Sequence, residues 1–505
     1  MLNYCTFTSN NGNHYFYDKE NRMHICHPIL AWLIDNPDFI PPKNENNVIY
    51  LKGYGEVLYD ELTYYLKKYH VFVKNGYFNK EKKDEKFLSK RLTELDIEKS
   101  LANMRQVTFE VTDFCNIDCE YCFYSSLYRD YDERNNKKLD FQLAKNLIDF
   151  LVPKWNSSLN TSLDKLIYIS FYGGEPLSGI LVIKKIVNYI KSLDVKKNRF
   201  VFTMTTNAVM LAKHMDFIVE NNFNLLISLD GDKENNQYRY LRNGKSSYDI
   251  VVKNIDLLRE KYPDYFKTNV NFNAVIHNKN SVEEVNEFFK ERYGKAPSIG
   301  DLNTSGIAPE YQEKFLEMYA NSHHSYTKAK DKKVLENDMF LNLPIIKEMA
   351  GFLSTRSGSV YQDYNDLTST KSYVSRKPTG TCTPFSVKMF VTVNGKLLPC
   401  ETVGHQNGLG QVNRFGVTID LKDITERYNT SYNIVESRCN SCNLNDSCSQ
   451  CMIYNHSLDL DSAYAPPCSS YKNDKKFTDE LAEKISYLER NRNIYEEIMT
   501  KVITI

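Results

Sequence analysis

The chain has 505 residues, enough for roughly two to four domains with substantial hydrophobic cores. Its 64 Lys and Arg residues balance 64 Asp and Glu residues, which argues against an electrostatic grip on nucleic acid or an anionic membrane. No apolar run approaches the roughly 20 residues of a membrane span, and the N-terminus lacks the basic-then-apolar pattern of a signal peptide. We therefore expect a cytoplasmic protein, in which twelve cysteines indicate metal or redox chemistry rather than disulfides.

Residues 1–95 precede the main pattern of the chain and predict a small α+β domain. The expected elements are strands at 4–8, 14–17 and 23–26, the first two joined by an Asn11-Gly12 turn, and helices at 29–34 and 57–69. Residues 71–73, followed by the turn Asn75-Gly76, suggest that this domain is a winged-helix-like unit.

From about Met104 the pattern changes to strands that alternate with helices. Strands are predicted at 107–111, 166–171, 200–205, 225–229 and 270–276, with a weaker sixth at 297–302. Helices are predicted at 141–151, 180–192, 211–221, 248–261 and 282–293. Such alternation predicts right-handed βαβ units and a parallel sheet, with functional residues in the loops after the strands.

Three cysteines follow the first predicted strand of this region. Cys115, Cys119 and Cys122 have the spacing C-x3-C-x2-C, with Tyr121 directly before the last of them. No further cysteine or histidine lies close by in the sequence, whereas a structural zinc site normally has four protein ligands. Three thiolates suit a four-iron cluster that leaves one iron for a non-protein ligand; a chance cysteine cluster or a zinc loop is the alternative.

This loop resembles the signature of the radical S-adenosylmethionine (SAM) enzymes. The resemblance implies that residues 100–305 form a partial (β/α)6 barrel of the α/β class, not a closed eight-unit barrel. It implies that Cys115, Cys119 and Cys122 hold a [4Fe-4S] cluster whose open iron binds SAM. An electron from the cluster would then cleave SAM to a 5′-deoxyadenosyl radical.

Gly173-Gly174-Glu175-Pro176 follows the second predicted strand of the barrel. The two glycines allow a ligand to approach the backbone closely, and the Glu175 carboxylate can accept from an ammonium group. The string resembles the family motif for the amino group of SAM, with an ordinary turn as the alternative.

The resemblance assigns further side chains to SAM, among them Tyr121 of the cysteine loop. Polar residues after the third and fourth strands would face its ribose and methionine ends: Thr205, Asn207, Ser228 and Asp230. Arg239 would bind the carboxylate, which suits its planar fork. Arg242 is the alternative, and a solvated helix charge is the plain interpretation of either arginine. The chain departs from the family pattern in having Asp232 where a proline is common and no histidine near Asn236.

Residues 306–380 carry no motif and predict a helical bridge. Helices are expected at 310–329 and 341–353, and residues 354–375 are expected to be a loop.

Seven cysteines then follow within residues 381–475. They are Cys382, Cys400, Cys439, Cys442, Cys448, Cys451 and Cys468, and a hairpin is predicted over 391–397 before Cys400. Their spacing resembles the SPASM domain, the twin-cluster extension of peptide- and sulfatase-modifying radical enzymes, although the gap before Cys451 is two residues instead of the usual three. A pair of zinc ribbons is the alternative, because C-x2-C repeats are also zinc spacing.

The SPASM resemblance divides these cysteines between two auxiliary [4Fe-4S] clusters, giving three clusters in all. Four of them would hold one cluster completely: Cys439, Cys442, Cys448 and Cys468. Cys382, Cys400 and Cys451 would hold the other, with one iron open to an outside ligand.

Glu401 directly follows Cys400, at the place where sulfatase-maturing relatives have an acidic base. A carboxylate there could take a proton as a substrate radical is oxidised, and an exposed hairpin glutamate is the alternative. After Cys468 an amphipathic helix is predicted over about 474–499, so residues 476–505 form a C-terminal helix.

The resemblance as a whole implies an oxidoreductase that matures a ribosomally made precursor peptide (a RiPP maturase). It would abstract a hydrogen atom and install a crosslink, either a cysteine thioether or a side-chain carbon–carbon bond. Residues 1–95 resemble, in element order, the unit that recognises a leader peptide by adding a strand to a sheet edge; a plain N-terminal cap is the alternative. The expected electron donor is a flavodoxin or ferredoxin, and neither nucleic acid nor membrane is an expected partner.

Three other functions remain open at this point. One is anaerobic sulfatase maturation, in which a cysteine or serine is oxidised to formylglycine. Another is a partner subunit that binds a peptide without turnover, although the intact three-cysteine loop argues against it. The last is a zinc-binding scaffold.

Overall fold

The fold is given by a computed structural model, which describes residues 2–19, 22–42, 47–79, 88–161, 165–356, 376–444, 448–455 and 467–503. Most of the loop predicted over residues 354–375 lies outside the described residues. Within these ranges no helix is both long and apolar enough to cross a membrane.

The N-terminal unit is a three-stranded antiparallel sheet followed by helices and a hairpin. Its elements are β1 (Tyr4–Thr8), β2 (His14–Asp18), β3 (Arg22–Cys26), α1 (Pro28–Asp35), β4 (Val48–Leu51), β5 (Gly55–Leu58) and α2 (Tyr59–Lys74). The three predicted strands are present, in the order β1-β2-β3. Phe16 anchors a core of its own for this unit, with its ring 5.2 Å from that of Phe72 and 5.0 Å from that of Phe78.

Two expectations for this unit are wrong. Residues 71–73 are not separate from the preceding helix, because α2 continues to Lys74 and Asn75 ends it by donating its backbone N–H and its side-chain amide to Val71 O. The hairpin β4–β5 was not expected, and the predicted start of the second helix at residue 57 lies in β5.

The six predicted strands of the second region are all present and run parallel to one another. They are β6 (Gln106–Thr112), β8 (Lys165–Gly173), β9 (Asn198–Thr206), β10 (Asn224–Ser228), β12 (Val270–Ile276) and β13 (Ser298–Asp301). Two short strands outside this sheet pair with each other, β7 (Ile117–Cys119) and β11 (Arg239–Leu241).

The C-terminal region extends the same sheet, which the sequence did not predict. Strand β14 (Lys388–Val391) pairs in parallel with β6, and Phe390 lies opposite Thr108. Beyond it follow antiparallel strands β15 (Lys396–Leu398), β16 (Gly410–Asn413) and β17 (Gly416–Thr418), giving ten strands in the order β13-β12-β10-β9-β8-β6-β14-β15-β16-β17. The two cysteine-bearing regions therefore share one hydrogen-bonded sheet.

Helices cover one face of the sheet through a large apolar core. In chain order they are α3 (Glu94–Ala102), α4 (Phe141–Asn156), α5 (Ile180–Lys191), α6 (Leu211–Glu220), α7 (Tyr248–Lys261), α8 (Pro263–Asn269) and α9 (Val282–Tyr293). Alternate strand residues such as Phe109, Phe171 and Phe272 are fully buried against them. The residues between, such as Thr205 and Asn273, are only half-buried, so the other face of the sheet is the open one.

The bridge and the C-terminal region are helical, with more breaks than predicted. Their helices are α10 (Gln312–Met318), α11 (Ser322–Lys328), α12 (Lys332–Asp338), α13 (Pro344–Arg356), α14 (Leu421–Asn440), α15 (Met452–Asn455), α16 (Asp474–Arg490) and α17 (Arg492–Ile498). The single helix expected over 310–329 is wrong, because Asn321 caps a new helix by accepting from the His324 N–H at 3.0 Å. The C-terminal helix is likewise interrupted at Asn491.

Candidate functional site

The three-cysteine loop lies at the carboxyl end of β6, pressed against the glycines that end β8. A Cβ atom on Gly173 would lie 2.2 Å from Thr112 O, and one on Gly174 would lie 2.1 Å from Phe114 O and 2.8 Å from Cys115 N. Gly173 also has a φ of 133°, which favours glycine. In this structure the two glycines are therefore required by the cysteine loop itself.

Glu175 is buried in the turn behind that loop. Its carboxylate accepts from Leu177 N at 3.0 Å, from Thr206 Oγ1 at 2.7 Å and from Asn207 N at 2.8 Å. Burial raises the pKa of Glu175 to about 6, against these three hydrogen bonds, which lower it. The side chain ties the ends of β8 and β9 together, and its contact with a ligand stays a prediction.

Each of the three cysteines has an N–H donor from a different part of the chain near its sulfur. Asn207 Nδ2 lies 3.7 Å from Cys115 Sγ, and Arg239 Nη1 lies 3.8 Å from Cys119 Sγ. Arg134 Nη2, which sequence reasoning missed, lies 3.9 Å from Cys122 Sγ. These donors suit sulfur atoms that carry negative charge, as thiolates on a cluster do.

Unpartnered polar atoms in the same place also fit a missing cofactor. Asn116 Nδ2 and Arg134 Nε are buried and have no hydrogen-bond partner among the described residues. Burial raises the pKa of Cys115 to about 11, so this thiol is protonated at neutral pH unless a metal takes the proton's place. The residues present fit a [4Fe-4S] cluster held by Cys115, Cys119 and Cys122.

Asp230 is the centre of a buried network beside the loop. It accepts from Arg239 Nε at 2.9 Å and Nη2 at 3.0 Å, from Val275 N at 3.0 Å and from the hydroxyl of Tyr121. Burial opposes the charge, but the Arg239 guanidinium and the His277 side chain, whose Nε2 lies 3.7 Å from Asp230 Oδ2, lower the pKa of Asp230 below its ordinary value. Arg239 also pairs with Cys119 across β7 and β11, so the network fixes the position of the cysteine loop.

The other predicted SAM residues lie along the same edge of the sheet. Thr205 is one residue before the end of β9, Ser228 is the last residue of β10, and both are half-buried on the open face. The alternative arginine, Arg242, is exposed, with its guanidinium 4.5 Å from the ring centre of Phe114. Contact of these residues with SAM stays a prediction.

Glu110 is a further buried acid that sequence reasoning missed. It lies on β6 facing the open side of the sheet, is 2% exposed, and accepts from Val393 N at 2.8 Å. Burial raises its pKa to about 7, although its hydrogen bond with Tyr124 and the nearby Arg134 act in the opposite direction. Glu110 belongs to no motif, and its only feature in the sequence is that it is a single glutamate within an apolar strand.

All twelve cysteines lie in the described part of the chain, and none forms a disulfide. Five of them line one cavity in the C-terminal region: Cys439, Cys442, Cys448, Cys451 and Cys468. Burial raises the pKa of Cys439 to about 12, and the next causes are the neighbouring thiols of Cys448, Cys442 and Cys468. These four are the cysteines that the SPASM resemblance assigns to one cluster. Within the described ranges, no three His, Cys, Asp or Glu side chains are grouped around a place for a single metal ion; a [4Fe-4S] cluster makes a different demand, because each thiolate binds a separate iron.

Cys382 and Cys451 lie on neighbouring segments. Met452 N donates to Thr381 Oγ1 at 2.8 Å, and a Cβ on Gly380 would lie 2.2 Å from Cys448 O. Cys382 and Cys451 both act electrostatically on two buried tyrosines of α14, Tyr428 and Tyr432. Burial is the main cause that raises the pKa values of both, followed by Tyr432 and the two cysteines for Tyr428 and by the two cysteines for Tyr432. Cys400 follows β15, where burial and the adjacent Glu401 raise its pKa.

Glu401 forms an ion pair with Lys388 of β14. The Lys388 Nζ donates to both carboxylate oxygens, at 2.8 Å and 2.9 Å, and Cys400 Sγ lies 3.4 Å from Glu401 Oε2. Both members of the pair are partly exposed, at 20% and 27% of their side chains. Glu401 is therefore an oriented carboxylate at the open face, next to a cysteine.

The comparisons with known proteins agree with this geometry. Residues 109–291 match the model of the Radical SAM superfamily, and this range contains the cysteine loop. The chain contains a radical SAM domain.

Relatives of the radical SAM domain include enzymes of two kinds. A cysteine-type anaerobic sulfatase-maturating enzyme of Clostridium novyi is 32% identical over 184 residues, 35% of this chain and 46% of that protein. The radical SAM cyclopropyl synthase TigE of Paramaledivibacter caminithermalis is 23% identical over 176 residues, 34% of this chain and 35% of that protein. An uncharacterized protein of Methanocaldococcus jannaschii is 31% identical over 211 residues, 42% of this chain and 65% of that protein. The chain thus spans less than two thirds of each of these relatives.

The solved structure of native anSMEcpe with bound AdoMet shares the fold. Its TM-score is 0.50 at 19% sequence identity, and the match covers 78% of this chain and 99% of that chain. A second structure of the same protein, with AdoMet and the Kp18Cys peptide, gives the same values. A radical SAM domain is associated with a [4Fe-4S] cluster and SAM. More than a fifth of this chain has no counterpart in anSMEcpe.

Proposed function

We propose that the chain is a radical SAM peptide maturase that installs a crosslink, a cysteine thioether or a side-chain carbon–carbon bond, in a ribosomally made precursor peptide. The observation that carries the proposal is the N-terminal unit with its open sheet edge. In the described part of the chain, β3 pairs on one side only, with β2, and its Ile25 is 68% exposed. A free edge accepts an added peptide strand, and a leader peptide is our proposed occupant.

The unit is attached to the C-terminal region, which supports a role in delivering substrate. Leu2 N donates to Asn443 Oδ1 at 2.7 Å, and Asn443 directly follows Cys442. The rings of Tyr17 and Phe477 pack at 5.3 Å. A peptide held at β3 would therefore have a fixed relation to the cysteine-lined regions.

We assign three [4Fe-4S] clusters to the chain. Cys115, Cys119 and Cys122 hold the one that binds SAM. A SPASM domain holds two more, one through Cys439, Cys442, Cys448 and Cys468 and one through Cys382, Cys400 and Cys451. When bound, the first cluster with SAM supplies a 5′-deoxyadenosyl radical that takes a hydrogen atom from an unactivated C–H bond, and the auxiliary clusters supply an acceptor for the remaining electron.

Individual side chains of this chain can be assigned roles in the proposed reaction. Thioether formation releases the proton of the substrate thiol, and we propose that Glu401 accepts it at a carboxylate oxygen. Lys388 fixes the orientation of that carboxylate through two hydrogen bonds. Gly173, Gly174 and Glu175 shape the turn at which the amino group of SAM is proposed to bind, and the remaining proposed SAM contacts lie along the same edge.

Anaerobic sulfatase maturation is the second candidate. It is favoured by the 32% identity between part of this chain and the sulfatase-maturating enzyme of Clostridium novyi. The N-terminal unit, with its free sheet edge, argues for the first candidate. For either, we propose a cytosolic location and a flavodoxin or ferredoxin as the electron donor.

The first experiment is anaerobic reconstitution with iron and sulfide, followed by an assay for 5′-deoxyadenosine with SAM and dithionite. The matched control is the Cys115→Ala/Cys119→Ala/Cys122→Ala variant. About twelve irons, with deoxyadenosine from the parent only, supports three clusters. About four irons together with deoxyadenosine formation would support the radical chemistry and reject the SPASM assignment. Bound zinc without deoxyadenosine formation would reject the proposal.

The second experiment separates the two reactions. Cysteine-containing peptides encoded beside the gene are incubated with the loaded enzyme, each with and without its leader segment, and analysed by mass spectrometry. A product that has lost two hydrogens and kept its sulfur, formed only from leader-bearing peptide, supports crosslinking. An aldehyde product that has lost its sulfur supports formylglycine formation instead. Glu401→Gln should form deoxyadenosine without crosslinked product.

A further inference from the structure

Two tyrosine hydroxyls on α14 are buried without a hydrogen-bond partner. Tyr428 and Tyr432 are both 0% exposed, and their rings lie 6.3 Å apart in an edge-to-face arrangement. Four residues apart, they lie on the same face of the helix. Neither hydroxyl has a partner among the described residues, sulfur atoms included. Buried hydroxyls are almost always paired, so two on one helix face indicate an acceptor that occupies this place in the working protein.

The surroundings identify the chemistry of that acceptor. Cys451 lines a cavity together with Val435, which lies on α14 three residues after Tyr432. Cys382 and Cys451 both act electrostatically on the two phenols. The segments that carry these cysteines are joined by the hydrogen bond from Met452 N to Thr381 Oγ1. The hydroxyls therefore border the place where the first auxiliary cluster is assigned.

We propose that Tyr428 and Tyr432 donate hydrogen bonds to sulfur atoms of the auxiliary cluster held by Cys382, Cys400 and Cys451, and thereby raise its reduction potential. The inference rests on the proposed function, because it requires that cluster. Adding an electron increases the negative charge on the cluster sulfurs, so an O–H donor stabilises the reduced form more than the oxidised form. Complete burial strengthens the effect, because no water competes for the sulfur. A higher potential makes the cluster a better acceptor for the electron that a substrate radical gives up.

The test uses the full-length chain in the Cys115→Ala/Cys119→Ala/Cys122→Ala background, in which only auxiliary clusters assemble. Tyr428→Phe, Tyr432→Phe and the double variant are compared with Tyr487→Phe. Tyr487 of α16 also has a buried hydroxyl with no partner among the described residues, and the side chain that acts on it electrostatically is Glu336, not a cysteine. Each protein is reconstituted, its iron and sulfide are counted, and its clusters are titrated potentiometrically with electron paramagnetic resonance detection.

The expected result is a shift of one auxiliary cluster to a more negative potential, with iron content unchanged. If the equilibrium constant for one-electron reduction of the cluster falls tenfold in the double variant, the reduction potential shifts by about 59 mV. The other auxiliary cluster and the Tyr487→Phe protein should not shift. Unchanged potentials at full iron content would overturn the inference and leave the proposed function standing. Absence of iron from the background protein would instead reject the auxiliary clusters, and the inference with them.

Melting of the metal-free and loaded proteins gives a second readout. Removing an orphan hydroxyl should leave the metal-free protein as stable as its parent or more so, whereas it should lower the melting temperature of the loaded protein. Tyr487→Phe should change the melting temperatures of the metal-free and loaded proteins in the same direction. If the double variant loses iron, a metal-free melting temperature at or above that of the parent supports the inference. Equal destabilisation of both forms refutes it, since the hydroxyls would then be structural only.

Discussion

Replacing Asp230 by asparagine should be strongly destabilising, because it removes the only carboxylate that the described network offers to a buried guanidinium. The Asp230 side chain is 0% exposed and that of Arg239 is 9% exposed. Two charge-assisted hydrogen bonds at 2.9 Å and 3.0 Å join them. Val275 N and the Tyr121 hydroxyl also donate to the carboxylate, and His277 Nε2 lies 3.7 Å from it. Breaking a buried ion pair of this kind by removing one partner typically costs about 3–5 kcal/mol.

The assay is urea unfolding of the metal-free chain at pH 7, followed by circular dichroism, together with iron content after reconstitution. We expect Asp230→Asn to lower the free energy of unfolding by roughly that amount. It should also reduce iron at the three-cysteine loop, because Arg239 lies 3.8 Å from Cys119 Sγ. Asp249→Asn is the control: the same chemical change at an exposed pair with Lys233, where little change is expected. If the two variants unfolded within 1 kcal/mol of each other, on the scale of a single hydrogen bond, the account of the network would be refuted.

Three further predictions follow from the structure. Gly174→Ala should lower the iron content at Cys115, Cys119 and Cys122, because the new methyl group would lie 2.1 Å from Phe114 O. Glu110→Gln should flatten the pH dependence of stability. The pKa of Glu110 rises from its ordinary 4.5 to about 7, so the folded state binds the extra proton in that interval and stability falls as pH rises through it. Glu489→Ala should loosen the N-terminal hairpin, measured as faster amide exchange in residues 9–15, because four side chains donate to the Glu489 carboxylate.

Each of these predictions has a control within the chain. Gly300→Ala should keep full iron, because nothing lies within 4 Å of its Cβ position. For Glu110, unfolding midpoints at pH 5 and pH 8 should differ less in the variant than in the parent, and an equal difference would contradict the raised pKa. Glu483→Ala, an exposed position on the same helix as Glu489, should leave the exchange of the hairpin unchanged.

The sequence predicted the strands and helices of the radical SAM domain well, because each carries a regular apolar period. The helices at Tyr248–Lys261 and Val282–Tyr293 begin and end where expected. The prediction failed at residues 71–73, whose β-branched residues suggested a departure from the helix although the preceding turns of α2 continue through them. The single helix expected over residues 310–329 was wrong for a similar reason. Asn321 caps a new helix there, and the apolar pattern does not show this break.

The cysteines were identifiable because their spacing is local, whereas their surroundings are assembled from distant segments. Arg134 and Glu110 carry no motif, and only the fold brings them to the cysteine loop and to Val393. The pairing of Arg239 with Asp230 likewise depends on β7 and β11 meeting. Tertiary contacts of this kind leave no periodic trace in one sequence.

The parallel pairing of β14 with β6 also has a consequence for the order of biosynthesis. Thr108 meets Phe390 in this ladder, so about 280 residues separate the partners along the chain. At about 5–20 residues per second, β6 would wait on the order of 15–60 s for its second neighbour. During that interval one edge of β6, directly beside the three cysteines, would be open to pairing with other chains. A chain that ends before residue 388 should therefore aggregate under conditions in which the full-length chain stays monomeric during refolding.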